Sequence, residues 1–209
     1  MKRVCLDAGH GGNDVGALGP SGLKESEMAL DVCERAKIML APQVEVVMTR
    51  SNDTFISLTE RADICNAKDC DIFISYHFNA ATSMTANGWE IFTTKKDNNS
   101  DKLATYIGEA HAALFPTQNA RQDWSDGDLD KEADFSVIRR SNCPAVLMEG
   151  EFIHTPLGEA FIADSSNRDK MARAVVEGAL KYLGLSPSTS TPTLTLEERV
   201  AKIEAHLDL

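Results

Sequence analysis

The sequence predicts an α/β fold: a single twisted, mostly parallel (mixed) sheet of about six strands, flanked by helices on both faces. Three observations predict it. Short β-branched or apolar runs alternate with segments of helical length through the first 185 residues. One of these runs, DIFISY at 71–76, is nearly continuous in apolar character, as suits a central strand covered on both faces. A glycine-rich loop at 8–22 follows the first strand directly, in the position where open α/β sheets bind their ligands.

The elements follow in order. Residues 3–7 form the first strand, and residues 26–40 a helix that stops before Pro42. The β-branched run at 44–49 is a strand, and 58–67 a helix with Arg61 in its middle. After the central strand come a strand at 88–93 and a helix at 101–115. Residues 118–134 are polar, acid-rich and aperiodic, which predicts a surface loop. Strands are expected at 135–139 and 145–149, on either side of a turn at 141–144. Residues 167–183 form a long amphipathic helix closed by Gly184.

Residues 1–185 thus make one domain, long enough to bury a core without staples. Residues 186–195 (SPSTSTPTLT) are a Ser/Thr/Pro linker. In 196–209, Leu196, Val200, Ile203 and Leu207 mark a short heptad-like helix. Oligomerisation or docking through it is one expectation, and a frayed tail the other.

The net charge of −11 opposes non-specific binding to nucleic acid and to anionic membranes. No apolar run is long enough to span a bilayer. The N-terminus passes from two basic residues straight into a strand, so no signal peptide is expected and synthesis in the cytoplasm is. The five cysteines contain no CxxC pair, and buried free thiols in a reducing compartment are the expectation. P-loop, dinucleotide-binding and GxSxG signatures are lacking.

The polar residues at strand ends carry the chemistry. His10 lies past the first strand and His77 past the central one; Glu149 closes the strand at 145–149. Glu25 stands where the glycine-rich loop meets the first helix. Each has a plain structural reading: a hydrogen-bonded histidine, or a glutamate favoured by a helix N-terminus. Together they place four metal- or proton-competent groups on one rim, and two histidines with a carboxylate form a common catalytic zinc set.

The chain resembles the zinc-dependent type-3 N-acetylmuramoyl-L-alanine amidases, including phage endolysins. The resemblance rests on DAGHGG at 7–12, LKESEMAL at 23–30, VVMTRSND at 46–53, LTERADICN at 58–66, DIFISYHFNA at 71–80, GWEIF at 88–92 and PAVLMEGEF at 144–152. It implies one Zn2+ per chain on His10, Glu25 and His77, with Glu149 as the catalytic carboxylate. It also implies hydrolysis of the amide between N-acetylmuramic acid and L-alanine, on the cell wall after release or on recycled muropeptides in the cytoplasm.

Secondary roles are expected for Asp7, in orienting the His10 loop, and for Asn79, in a contact to substrate. Arg139 is read as a solvated strand end before a contact to a stem-peptide carboxylate, and Glu151 either as added negative charge or as a contact to a cationic stem residue. Arg50 and Arg61 are expected in structural pairs with Asp53 or Asp63. Glu151 and His154 depart from the family pattern, with His154 expected to be exposed. Trp124 is read either as a sugar platform or as a loop anchor. A zinc peptidase cutting within a peptide and a non-catalytic peptidoglycan-binding domain remain as alternatives.

Overall fold

The computed structural model describes residues 1–95, 99–125 and 127–186. Residues 187–209 lie outside them, and with them nearly all of the expected linker and the whole heptad-like helix. The elements are β1 (Arg3–Ala8), α1 (Glu25–Leu40), β2 (Glu45–Met48), α2 (Leu58–Ala67), β3 (Ile72–Asn79) and β4 (Glu90–Thr93). They continue with α3 (Asn99–Leu114), β5 (Lys131–Glu132), α4 (Ser136–Arg139), β6 (Ala145–Phe152), α5 (Pro156–Ala163) and α6 (Ser165–Tyr182). No helix among the described residues is long and apolar enough to cross a membrane.

The six strands form one sheet in the order β2-β1-β3-β6-β4-β5. All neighbours are parallel except β4 and β6. The exception has a local cause. Parallel strands joined in sequence need a long crossover, normally a helix. No helix separates β3 from β4, so the chain turns back over the end of β6 and pairs with it antiparallel.

Alternation along the strands sorts side chains onto two faces. Val4, Leu6, Ile72, Ile74, Val146 and Met148 join α1, α3 and α6 in the larger core. Cys5, Phe73, Ala145 and Leu147 face α2 and α4 in a smaller one. Where α3 and α6 cross, only glycine fits: a Cβ on Gly178 would lie 2.5 Å from the Ile107 Cα.

Three expectations need correction. Residues 135–139 are not a strand. Val137 and Ile138 are adjacent and both buried, which a half-covered strand does not allow, and the segment forms the short helix α4. The edge strand is instead β5, two residues inside the segment expected to be loop, held by its pairing with Phe92 and Thr93. The helix α5 was not anticipated, although Thr155 caps it by accepting from Gly158 N–H at 3.0 Å and Pro156 opens it.

Two buried groups act on stability with opposite sign. His111 on α3 sits between the rings of Trp89 and Phe115, with Nε2 2.8 Å from Gln118 Oε1. Burial outweighs that hydrogen bond and lowers its pKa from 6.5 to about 4. Its contribution is therefore present above pH 6.5 and lost as pH falls toward 4, about 3 kcal/mol in all. Asp130 accepts from the Thr93 hydroxyl at 2.5 Å. Burial raises its pKa against that bond, Asp128 and Asp101 add to the rise, and it reaches about 7. Its contribution is present below the ordinary carboxylate range and lost as pH rises through 7. The two slopes offset each other over the overlapping range. The variant Asp130→Asn should therefore gain about 1–2 kcal/mol in urea unfolding at pH 8. It should also lose stability more steeply than the parent on acidification below pH 6.5.

Candidate functional site

The loop after β1 is held by two buried arginines. Arg50 Nη2 donates to the Gly9 carbonyl at 2.7 Å and Nε to the Ala8 carbonyl at 2.9 Å. Arg61 Nη1 donates to the Ala8 carbonyl and Nη2 to the His10 carbonyl, both at 2.6 Å. Arg61 also pairs with Asp7 at 2.8 Å, with both side chains almost fully buried. Asp7 further accepts from the Thr49 and Ser75 hydroxyls, each at 2.7 Å. The arginines thus do serve the scaffold, but the acidic partner of Arg61 is Asp7 rather than Asp53 or Asp63, and Arg50 donates to the backbone carbonyls of Ala8, Gly9, Ser26 and Asn52. Asp53 instead accepts from Gly12 N–H at 2.8 Å.

This clamp holds His10 at φ 60°, a conformation that non-glycine residues seldom adopt. His10 Nε2 then lies 3.1 Å from Glu25 Oε1, and His77 Nδ1 lies 2.9 Å from the same oxygen. Ligand atoms of all three residues fall within 4.8 Å of one another. Gly9 permits the approach, since a Cβ there would stand 2.3 Å from the His77 ring. His10 Nδ1 lies 2.9 Å from Asp14 Oδ2, the arrangement that orients a ligating imidazole. Glu25 accepts from the N–H groups of Ala17 at 2.8 Å and Phe78 at 3.1 Å. Burial disfavours its charge, but His10 and His77 prevail and hold its carboxyl far below the usual range. Burial also works against the His10 imidazolium, and Glu25 and Asp14 outweigh it and raise its pKa. Two imidazoles and one ionised carboxylate at this spacing suit a divalent metal of the zinc type.

His77 and Glu149 lie inside β3 and β6 rather than at or beyond their ends. They are direct partners in the parallel register, on the same face as Asp7 and Ser75. Glu149 Oε2 is buried without a hydrogen-bond partner among the described residues. Burial, then the charges of Glu25 and Glu90, push its pKa well above the usual carboxylate range. Glu90 pairs with Glu149 from the antiparallel side and carries ion pairs to Arg121 and, at 3.0 Å, to Lys131. The segment expected to be an acidic loop thus supplies two cations to Glu90, the strand partner of Glu149.

The remaining expectations divide. Asn79 is half-buried on β3, but a register shift separates it from His77: the step from His77 to Asn79 spans Glu149 to Phe152 on β6. The extra residue breaks the alternation, and the Glu151 carboxylate is taken up elsewhere. It accepts from the N–H groups of Gly88 at 2.7 Å and Phe152 at 2.8 Å, and from Gln118 at 2.9 Å. Arg139 pairs with Asp134 in an exposed bridge. His154 is half-buried rather than exposed, 3.0 Å from the Ser83 carbonyl. Trp124 is 62% exposed and does not anchor its loop to the body. Asp14 and Glu90 were not singled out from sequence. Asp14 gave no signal there; Glu90 gave one, a charged residue inside an apolar strand.

A family model described as N-acetylmuramoyl-L-alanine amidase matches residues 4–181. The chain is 36% identical over 184 residues to the N-acetylmuramoyl-L-alanine amidase LytC of Bacillus subtilis, covering 87% of this chain and 35% of that protein. It is 33% identical over 186 residues to the endolysin of Bacillus phage SPP1, covering 88% of this chain and 67% of that protein. The chain therefore spans about a third of the first relative and two thirds of the second. Among solved structures, the catalytic domain of CwlV, an N-acetylmuramoyl-L-alanine amidase from Bacillus (Paenibacillus) polymyxa, superposes with a TM-score of 0.81 at 30% identity, covering 89% of this chain and 100% of that one. An N-acetylmuramoyl-L-alanine amidase from Clostridium difficile 630 gives 0.80 at 32% identity, covering 88% and 97%.

The clamp makes a stability prediction that is independent of any activity. Arg61→Ala leaves Asp7 buried and uncompensated, and three loop and strand contacts unmade. It should lose about 3–5 kcal/mol in urea unfolding of metal-free protein. A loss no larger than that of an exposed ion pair would mean that Arg61 does not hold the loop.

Proposed function

Because the chain belongs to the N-acetylmuramoyl-L-alanine amidase family, we propose that it hydrolyses the amide between N-acetylmuramic acid and the L-alanine of the peptidoglycan stem. In this reading His10, Glu25 and His77 hold one zinc ion and Glu149 handles the proton. One observation carries it: two histidines and a carboxylate converge, and the partnerless oxygen of Glu149 stands on the neighbouring strand in register with His77.

Zinc, when bound, supplies Lewis acidity toward a water molecule and the scissile carbonyl. Glu149 accepts the proton of the attacking water, then returns it to the L-alanine amine as the C–N bond breaks. Burial beside Glu25 and Glu90 suits the second half of that cycle, because it favours a carboxylic acid ready to donate. Asp14 fixes the ring plane of His10 through Nδ1, leaving Nε2 for the metal. Asp7 acts at one remove, through Arg61 and the His10 carbonyl. The likeness to a phage endolysin supports action on the intact wall rather than on soluble muropeptides.

A digest of purified sacculi tests the reading. Free L-alanine amines should appear on released stem peptides, and a chelator should abolish them. Cleavage inside the stem would instead support a peptidase. Glu149→Gln should keep its zinc while turnover falls about 10²–10⁴-fold. His77→Ala should lose zinc and turnover together, and a Glu149→Gln variant with full activity would overturn the assignment.

A further inference from the structure

Four of the five cysteines meet on the face of the sheet that α2 and α4 cover. Cys5 is on β1, Cys65 near the end of α2, Cys70 in the turn before β3, and Cys143 in the turn before β6. The Sγ atoms of Cys5, Cys65 and Cys70 lie within 4.8 Å of one another, and all three residues are buried. Cys143 Sγ lies 3.6 Å from Cys65 Sγ, and Cys143 is half-buried, so solvent reaches the group from that side.

From this geometry we infer a second metal site, in which Cys5, Cys65, Cys70 and Cys143 bind a thiophilic divalent cation of the zinc class, separate from the His10, Glu25 and His77 group. A tetrahedral zinc with Zn–S bonds of about 2.3 Å sets its sulfurs about 3.8 Å apart. The Cys65–Cys143 pair already stands at 3.6 Å, Cys5, Cys65 and Cys70 lie within 4.8 Å of one another, and Cys143 must turn toward Cys5 and Cys70 to complete the set. Thiolates are soft donors and select such a cation over magnesium or calcium. A second observation points the same way. Arg3 Nε is a buried N–H with no acceptor among the described residues. The Arg3 guanidinium lies in the electrostatic field of Cys70. Each thiol ligand releases its proton to solvent on binding.

The position gives the site a purpose. On β1 the same face carries Cys5 and then Asp7, and the parallel register sets Phe73 and Ser75 beside them. A metal joining β1, α2 and the turns before β3 and β6 would brace the layer beneath Asp7 and Arg61. Sequence alone hid this, because Cys5 and Cys143 are far from Cys65 and Cys70 along the chain and no CxxC pair occurs.

Cobalt(II) tests the site in the whole chain. Protein stripped of metal under a non-thiol reductant should take up a cobalt equivalent that shows sulfur-to-metal charge-transfer absorption in the near ultraviolet. The nitrogen and oxygen donors of the other group give none. His77→Ala should keep that absorption, so failure of the amidase reading leaves this one standing. Cys143→Ser, at the half-buried position, should weaken the absorption, and Cys70→Ser should abolish it. If the parent chain binds cobalt without this absorption, the site does not exist. A Cys65–Cys143 disulfide in a non-reduced digest of the protein as isolated would overturn it equally.

Discussion

The buried pair between Asp7 and Arg61 is the contact on which the rest of the site depends. A carboxylate with almost no exposure is tolerable only if its charge and lone pairs are answered, and Arg61, Thr49 and Ser75 answer them. The same guanidinium reaches the carbonyls of Ala8 and His10, and Arg50 takes those of Ala8 and Gly9. Backbone oxygens in a tight loop are otherwise hard to satisfy away from water. Charge buried under the loop therefore becomes precision in the placement of His10, including a backbone angle that the loop alone would not hold.

The face of the sheet that bears this pair is layered. Cysteines occupy the level of Cys5 and Phe73, the ion pair the level of Asp7 and Ser75, and the metal-competent residues the level of His77 and Glu149. Polarity rises along the strands toward their carboxyl ends, as the architecture of parallel sheets favours. The opposite face is mostly apolar and packs α1, α3 and α6, so the sheet that bears the site is backed by the larger core.

At the last level, acidic groups crowd together and are told apart by their partners. Glu25 has two imidazoles and two backbone N–H groups and is held ionised. Glu90 has Arg121 and Lys131. Glu149 lies between them in the field of both and has an oxygen with no partner among the described residues. Three neighbouring glutamates thus have three different tasks open to them, and environment rather than residue type separates them.

The class of fold, the strands β1, β3 and β6, and the residues that meet at the metal group were legible in the sequence. The fold and strands express local rules, apolar runs of strand length and glycines after a strand. The residue set was legible through the family's motifs, since His77 and Glu149 lie inside their strands rather than at the ends. What the sequence left open involves partners distant along the chain. That Asp7 rather than Asp53 answers Arg61, that Glu151 fastens β4 while Glu149 stays free, and that Val137 and Ile138 coil instead of extending were all settled by packing. So was the meeting of four scattered cysteines. By itself the sequence determined which side chains this protein possesses for its chemistry. Only the tertiary structure decided which of them are neutralised and which are left with an unmet charge or lone pair, because that depends on what the fold places within hydrogen-bond reach.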